Sequence, residues 1–363
     1  MSDVYAEPTT GAEPADPATL ARYTTLRLGG PAGRLETATS ADDLVHKVRE
    51  AELREDGVLV LAGGSNVVIG DQGFPGTVVL VRSRGYRVVA EDADTVTVRV
   101  EAGEPWDDLV AATVEQGWSG LECLSGIPGS AGATPIQNVG AYGQEVAETI
   151  TAVRAYDRDR REVVRIAADD CGFAYRGSIF KYSDRWVVLS VDFRLTRAPR
   201  SGPVRYAELA RALGVEVGDR VPLADARATV LRLRAGKGMV LDADDPDTRS
   251  VGSFFTNPVL ERAAYDLLRE RAGELGDPPN WPCPGDRVKI SAAWLIDKAG
   301  FGKGYAGPAG VAISRKHTLA LTNRAGTADT AALIALAREI RDGVQDRFGV
   351  TLHPEPVLIN CTI

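Results

Sequence analysis

Histidine and cysteine are scarce in this chain of 363 residues, which limits the chemistry that the chain can carry. The three histidines, His46, His317 and His353, are far apart and show no metal-ligand spacing. The four cysteines form no C-x-x-C pair, so neither a disulfide framework nor a zinc site is indicated. We therefore expect no bound metal, and reduced thiols in a cytoplasmic protein.

The chain also lacks the features that direct proteins to membranes or to nucleic acids. No apolar run approaches the roughly 18 residues that a membrane span needs, so no membrane insertion is expected. The net charge of −8 opposes nucleic-acid binding, which requires a basic surface, but it allows an anionic small molecule held by local cations. Residues 1–20 are acidic and rich in Pro, Ala and Thr, which predicts a disordered tail and no signal peptide.

A further absence is the strand–G-x-G-x-x-G–helix fingerprint of dinucleotide-binding folds. The chain has instead a run over residues 126–143 with five glycines and two prolines. Glycines let backbone amides approach a ligand and form an anion-binding concavity. A flexible linker is the alternative, but the apolar residues and prolines in the run favour a fixed ligand-binding loop. A second glycine turn, residues 63–66, follows a predicted buried strand over 58–62.

Helical and strand-like segments alternate on both sides of this loop, which predicts an α+β fold. Alternating apolar residues predict a hairpin between 153–156 and 163–166. We expect a domain of two α+β subdomains over 21–200 and a second domain over 201–363. Apolar spacing and capping residues predict helices that begin after Ser40, cover 106–116 and 224–233, and extend from a cap at Thr327 to Phe348.

Six short motifs occupy loop-like positions along the chain. They are Leu61-Ala-Gly-Gly-Ser-Asn66, Gly126-Ile-Pro-Gly-Ser130 with Pro135-Ile-Gln-Asn-Val-Gly-Ala-Tyr-Gly143, Tyr175-Arg-Gly-Ser-Ile-Phe-Lys181, Gly252-Ser-Phe-Phe-Thr-Asn-Pro258, Ala292-Ala-Trp-Leu-Ile-Asp297 and His353-Pro-Glu355. In this order they resemble the UDP-N-acetylenolpyruvoylglucosamine reductase family, in its longer, type I-like subclass. The resemblance covers residues 22–360, and the joint order is specific because packing demands none of these motifs.

The resemblance implies a fold and a cofactor. The fold is an FAD-binding fold of the p-cresol methylhydroxylase and vanillyl-alcohol oxidase type, with a C-terminal α/β substrate domain whose last segment returns to the active site. Since His46 is the one histidine of the flavin half and lies on a predicted helix face, we expect FAD to be non-covalent. The implied cofactor-binding residues, mostly through backbone amides but with the side-chain amide of Asn138, are Gly63, Gly64, Ser65, Asn66, Gly126, Ile127, Pro128, Gly129, Ser130, Gln137, Asn138, Gly140, Ala141 and Tyr142.

Three catalytic residues are implied: Arg176, Ser253 and Glu355. Hydride addition to an enolpyruvyl ether leaves negative charge next to the substrate carboxylate, where a permanently charged guanidinium is most useful. By the resemblance, Arg176 and Glu355 stabilise this charge and Ser253 donates the final proton. Glu355 can stand beside a carboxylate only if it is protonated or paired with Arg176, so we expect a raised pKa. Taken alone, the three would be a surface charge, a turn residue and a solvated edge charge.

The substrate contacts are open to more than one interpretation. Tyr206 resembles the tyrosine that closes over substrate in the longer subclass, although an ordinary half-buried tyrosine is the alternative. We expect Asn257 to contact the substrate. Lys237 and Lys289 are candidates to bind the UDP diphosphate, as are Arg249 and Lys303.

The implied function is the reduction of UDP-N-acetylglucosamine enolpyruvate to UDP-N-acetylmuramate by a monomeric enzyme that uses FAD and NADPH. NADPH would reduce the flavin and leave before the sugar nucleotide enters. A flavin-dependent alcohol or lactone oxidase of the same fold is an alternative, and it would need a base near the flavin and no NADPH. A flavin- or nucleotide-binding module without a reaction is the alternative from another class.

Overall fold

The computed structural model describes residues 19–363. The tail expected over residues 1–20 therefore lies outside the described residues, except for Thr19 and Leu20. Leu20 begins a short 3-10 helix, Leu20–Tyr23, and its side chain is fully buried. These two residues are thus part of the fold, because Leu20 packs with the apolar side chains of a parallel sheet.

Seven α-helices form in the described part of the chain. Their ends follow local chemistry: the hydroxyl of Ser40 accepts a hydrogen bond from the Asp43 amide, as the sequence predicted. The last helix begins after Asp329, not at the expected cap Thr327, because the Asp329 carboxylate accepts from the Ala332 amide and favours the positive end of the helix dipole. The helices are α1 Ala41–Leu53, α2 Trp106–Glu115, α3 Ala207–Leu213, α4 Leu223–Gly236, α5 Arg262–Ala272, α6 Ala292–Lys298 and α7 Thr330–Phe348.

The strands of the first half form two main sheets. The parallel sheet has the order β1-β4-β2, and the antiparallel sheet has the order β11-β10-β12-β6-β5, with β7 also paired to β12. Short pairs β3 and β19, and β8 and β9, lie apart from them. The strands of this half are β1 Ala32–Ala38, β2 Val58–Leu61, β3 Val67–Ile69, β4 Phe74–Val81, β5 Tyr86–Glu91, β6 Thr95–Glu101, β7 Trp118–Ser119, β8 Gly140–Ala141, β9 Gln144–Glu145, β10 Ile150–Asp157, β11 Glu162–Ala167 and β12 Trp186–Arg197, and β19 is Val357–Ile359.

Period-two patterning explains the antiparallel sheet. In β6 the alternate residues Val96, Val98 and Val100 are fully buried, because successive side chains of a strand point to opposite faces. The hairpin expected between 153–156 and 163–166 is confirmed as the β10–β11 pair. One core lies between this sheet and helices α1 and α2.

The second half builds its own core around the long helix α7. Two small antiparallel sheets, β13-β18-β17 and β14-β16-β15, accompany α5, α6 and α7. Leu26 and Leu28 from the first half also enter this core, and β19 pairs in parallel with β3. The end of the chain therefore returns to the first half. The strands are β13 Ser250–Ser253, β14 Val259–Glu261, β15 Asn280–Cys283, β16 Arg287–Ile290, β17 Ala312–Ile313 and β18 Ala320–Thr322.

Residues 19–363 contain neither a helix suited to a membrane nor a cluster of side chains suited to a metal ion. None of the helices there combines the length and the apolar character that crossing a bilayer requires. Over the same residues, no three His, Cys, Asp or Glu side chains come together in a group that could hold a metal ion.

The core around α7 can be tested with one substitution. Leu333 is fully buried on this helix, so Leu333→Ala should lower the free energy of unfolding by about 2–5 kcal/mol through lost apolar burial and a residual cavity. Leu267→Ala is the matched control, because Leu267 on α5 is 59% exposed and its loss should change stability by less than about 0.5 kcal/mol. Urea unfolding measures both, and equal losses would contradict the assignment of the core.

Candidate active site

A cavity of about 440 Å³ lies where distant parts of the chain meet. Its wall includes residues of β2, β12, β13 and β19, together with the two glycine loops. The strand predicted over 58–62 is only half-buried over Val58–Val60, since these residues line the cavity instead of a closed core.

The two glycine loops are held against each other at the cavity wall. A Cβ atom on Gly63 would lie 2.7 Å from the Cα of Gly129, so the two backbones touch at a distance that no side chain permits. The Ser65 hydroxyl donates to the carbonyl of Pro128 at 2.9 Å. The Asn66 amide donates to the side chain of Gln137 at 2.6 Å. These contacts support a fixed loop over a flexible linker.

Two buried polar atoms on the cavity wall have no hydrogen-bond partner. They are the hydroxyl oxygen of Ser130 and the Nε of Arg234. Buried polar atoms are nearly always paired, so both atoms are free to bond to a polar ligand in the cavity. Burial also lowers the pKa of Arg234 to about 10, which shows how strongly its guanidinium is removed from water. Arg234 was not among the site residues predicted from the sequence. Its place in the last turn of α4, just before Gly236-Lys-Gly238, was the one feature that could have indicated it.

Arg176 lies at the tip of a tight turn. The backbones of Ala174 and Gly177 exchange hydrogen bonds of 3.0 and 3.2 Å, which leaves Arg176 with a φ of 53°. Non-glycine residues rarely adopt this left-handed conformation, and where they do it often marks a functional site. The guanidinium donates to the carbonyl of Gly140 at 2.9 Å and pairs with the Glu355 carboxylate at 3.2 Å.

Ser253 and Glu355 are brought together by backbone pairing. Ser253 is the last residue of β13, and the carbonyl of the next residue, Phe254, accepts a hydrogen bond of 2.8 Å from the Glu355 amide. The following residue, Phe255, forms a bridge with Pro354. Arg176, Ser253 and Glu355 all line the cavity, so three remote segments contribute to the wall of one space.

Burial sets the electrostatics of Glu355. Removal from water raises the pKa of its carboxyl above the usual range, while the charges of Arg176 and Lys181 act in the opposite direction. The raised pKa expected from the sequence is thus confirmed. The carboxyl of Glu355 therefore tends to keep its proton beside the Arg176 guanidinium.

The predicted cofactor-binding residues divide into two groups. Asn138 lies away from the cavity wall: its side-chain amide donates to Glu145 at 2.8 Å and to the carbonyl of Ala174 at 3.2 Å, and its oxygen accepts from Ala147. It supports the turn that carries Arg176 and has no amide group left to offer a ligand. Gly126, Gly129, Ala141 and Tyr142 also lie outside the wall. The predicted cofactor-binding residues that do line the cavity are Gly63, Gly64, Ser65, Asn66, Ile127, Pro128, Ser130, Gln137 and Gly140.

Two groups of predicted substrate residues lie outside this wall. In the first, the rings of Tyr142 and Tyr206 meet edge to face at 5.6 Å, and Lys237 lies 5.5 Å from the Tyr142 ring centroid and pairs with Glu208 at 2.6 Å. Burial raises the pKa of Tyr142 to about 12, with Arg234 close enough to oppose the shift. This group therefore adjoins the Arg234 part of the cavity.

The second group surrounds Tyr175, the residue before Arg176. Lys289 lies 4.8 Å from the centroid of the Tyr175 ring and 5.6 Å from that of Trp281. Asn257 lies close enough to Tyr175 to lower the pKa of its hydroxyl, against the larger effect of burial, and its side-chain oxygen accepts from the Ala292 amide at 3.0 Å. Trp281 was not predicted as a site residue, because it lies in strand β15, outside the recognised motifs.

Known proteins that are similar to this chain point to one family over nearly its whole length. The profile described as UDP-N-acetylenolpyruvoylglucosamine reductase, C-terminal domain, matches residues 244–359, and the profile described as FAD binding domain matches residues 34–166. A UDP-N-acetylenolpyruvoylglucosamine reductase of Salinispora arenicola is 76% identical over 345 residues, which is 95% of each chain. One of Thermobifida fusca is 56% identical over 95% of this chain and 97% of its own. The crystal structure of the Thermus caldophilus reductase, MurB, has a TM-score of 0.65 at 25% identity, covering 94% of this chain and 97% of its own.

The raised pKa of Glu355 predicts that the free energy of unfolding depends on pH. Because the folded pKa lies above the ordinary value of 4.5, the folded chain keeps a proton that the unfolded chain releases. The free energy of unfolding contributed by this group therefore falls as the pH rises from 4.5 through the folded pKa. Glu355→Gln should remove this fall, so that the variant gains stability relative to the unsubstituted protein over that interval. Urea unfolding at a series of pH values tests this, and a difference that does not change with pH would contradict it.

Proposed function

The chain belongs to the UDP-N-acetylenolpyruvoylglucosamine reductase family, and we propose that Arg176, Ser253 and Glu355 carry out its reaction. The protein reduces the enolpyruvyl ether of its UDP-sugar substrate to UDP-N-acetylmuramate in peptidoglycan precursor synthesis, with FAD as cofactor and NADPH as reductant. The alternative of an alcohol or lactone oxidase is not favoured. The observation that carries the proposed roles is the convergence of the three side chains on one cavity.

The cavity residues fit FAD as a non-covalent cofactor. The touching glycine loops offer backbone amides, and the unpaired Ser130 hydroxyl and Arg234 Nε offer a donor and a cation suited to a pyrophosphate. Arg234 supplies this charge within a protein whose net charge is −8. His46 is 65% exposed on α1 and pairs with Glu50, which supports the absence of a covalent histidine link.

Bound FAD, once reduced by NADPH, would supply the hydride that adds to the vinyl carbon of the substrate. Arg176 binds the substrate carboxylate, where negative charge increases, and its contacts with Gly140 and Glu355 hold the guanidinium in place before the substrate arrives. Burial favours the protonated form of Glu355, in which the carboxyl donates a hydrogen bond to that carboxylate instead of repelling it. Ser253 then gives its hydroxyl proton to the carbon next to the carboxylate.

The two groups outside the cavity wall are proposed to bind the sugar nucleotide. Lys237 can exchange its ion pair with Glu208 for a substrate phosphate, and Tyr206, which is 42% exposed beside Tyr142, can close over the substrate. Lys289 and Asn257, held around Tyr175, are placed to contact the substrate near Arg176.

We further propose that residues 21–200 hold the flavin and residues 201–363 the sugar nucleotide, with the last segment returning to the active site. The pairing of β19 with β3 and the position of Glu355 support this division. A monomer is supported because one chain supplies all three proposed catalytic residues. The net charge of −8 supports the absence of a nucleic-acid partner, and the free cysteines among the described residues support a cytoplasmic location.

The role of Ser253 can be tested by separating the two half-reactions. Ser253→Ala should keep the reduction of bound FAD by NADPH and lose product formation, because only the later proton transfer needs the hydroxyl. Anaerobic stopped-flow absorbance follows flavin bleaching by NADPH, and chromatography follows the product. Normal product formation by this variant would remove Ser253 from the mechanism.

The role of Arg176 predicts a large loss. Arg176→Ala should slow substrate reduction by about a hundredfold or more, since it removes a fixed charge from the site where negative charge develops. Arg160→Ala is the control, because this arginine is 66% exposed on the surface and should leave the rate unchanged. The measurement is the rate at which substrate reoxidises reduced flavin. A loss of less than about tenfold would reduce Arg176 to a substrate-orienting role.

The contact between the glycine loops predicts a specific loss of flavin affinity. A Cβ on Gly129 would lie 2.7 Å from the hydroxyl of Ser65, whereas one on Gly85 would meet no atom within 4 Å. Both glycines have positive φ, so Gly129→Ala and Gly85→Ala introduce comparable backbone strain. Flavin fluorescence titration should show FAD affinity reduced about tenfold or more in Gly129→Ala alone. Equal affinities in the two variants would contradict the proposed flavin loops.

A further inference from the structure

Lys181 is the last residue of the Tyr175–Lys181 motif, and the roles proposed above do not use it. Its ammonium donates one hydrogen bond to the backbone carbonyl of Arg176 at 3.1 Å and another to the backbone carbonyl of Glu355 at 3.2 Å. One cation thus joins the main chains of two proposed catalytic residues that come from opposite halves of the sequence.

The surroundings of Lys181 show that this position is costly for a cation. The residue is half-buried, and burial lowers the pKa of its ammonium. A partly desolvated ammonium is stable only when its donors are satisfied, so the two carbonyl contacts compensate for lost hydration. The charged groups that face it are Arg176 and Glu355, and the ring of Tyr182 lies 5.1 Å away.

The backbone at Arg176 needs such support. With a φ of 53°, Arg176 is in a conformation that a non-glycine residue keeps only when its surroundings hold it there. Within the same motif, the Ser178 hydroxyl donates to the carbonyl of Ile136 at 2.6 Å and ties the turn to the glycine loop. Lys181 ties the other side of the turn to the C-terminal segment, whose Glu355 amide is bonded to Phe254.

We propose that Lys181 is a positioning residue, which fixes the main chains of Arg176 and Glu355 so that both side chains meet the substrate carboxylate in one arrangement. The proposal rests on the roles proposed for Arg176 and Glu355. Lys181 acts through these two residues, and it is not assigned a contact with substrate or flavin.

The test separates the half-reactions of the FAD-loaded enzyme. Lys181→Met removes the charge and the donors but keeps the length of the side chain. Flavin reduction by NADPH should stay within about threefold of the unsubstituted rate, while reoxidation by the enolpyruvyl substrate should slow by about 10- to 100-fold, as a displaced catalytic group does. Lys47→Met is the control, because Lys47 is half-buried like Lys181 but pairs with Asp43 on α1, away from the cavity wall, and its loss should change neither rate.

Coupling to Arg176 distinguishes positioning from a general structural role. If Lys181 acts largely through Arg176, most of the effect of Lys181→Met should disappear in an Arg176→Ala background, because interacting residues are not additive. An undiminished effect in that background overturns the proposal. Reoxidation at the unsubstituted rate in Lys181→Met, or an equal slowing of both half-reactions, also overturns it.

Two further measurements distinguish failure of the proposed function, failure of the positioning role and failure of a variant to fold. If Arg176→Ala itself reoxidises at the unsubstituted rate, the proposed function fails; if Arg176→Ala is slow and Lys181→Met is not, only the positioning role fails. The FAD absorption spectrum and the thermal unfolding midpoint identify a variant that does not fold. In that case Lys181→Gln is measured, which is uncharged and too short to hold both carbonyls; selective slowing of reoxidation by about tenfold supports the proposal, and unchanged reoxidation overturns it.

Discussion

The contact between the Arg176 guanidinium and the Glu355 carboxyl is the one on which the candidate active site depends. It joins a turn of the first half to a segment near the end of the chain, and it holds a guanidinium and a carboxyl at the same cavity wall. Removing the Glu355 side chain would leave the Arg176 guanidinium without one of its hydrogen-bond acceptors in a poorly solvated place. The surrounding hydrogen bonds, from Lys181 to two carbonyls and from Arg176 to Gly140, keep both members of the pair in fixed positions.

The protein combines a net negative charge with a cavity that has cationic groups on its wall. The charge of the whole chain is −8, yet Arg176 and Arg234 reach the cavity from different elements. Local geometry therefore outweighs overall charge at the site, because a desolvated cation interacts with a bound anion far more strongly than distant, screened carboxylates do. The unpaired Nε of Arg234 and hydroxyl of Ser130 are the places where the fold leaves polar groups for a ligand to satisfy.

Short backbone contacts between loops complete the arrangement. Gly63 and Gly129 allow two main chains to touch, and the Asn138 side chain connects the glycine loop to the turn that carries Arg176. These contacts hold the loops together with little regular secondary structure. In the same way, the polar side chains of Asn138 and Ser178 in the recognised motifs bond to other parts of the protein.

Local signals in the sequence determined helices α1, α2, α4 and α7, the β10–β11 hairpin and the candidate loops, because capping, periodicity and glycine content act over a few residues. The resemblance of the motifs also indicated the family and the residues Arg176, Ser253 and Glu355. Tertiary structure alone decided which loops meet and that β2 lines a cavity. It also decided that the Asn138 side-chain amide bonds to Glu145 and Ala174. Arg234 on the cavity wall and Lys181 beside Glu355 likewise became visible only in the fold. Burial and hydrogen-bond partners arise from contacts between residues far apart in the chain, and no local pattern records them.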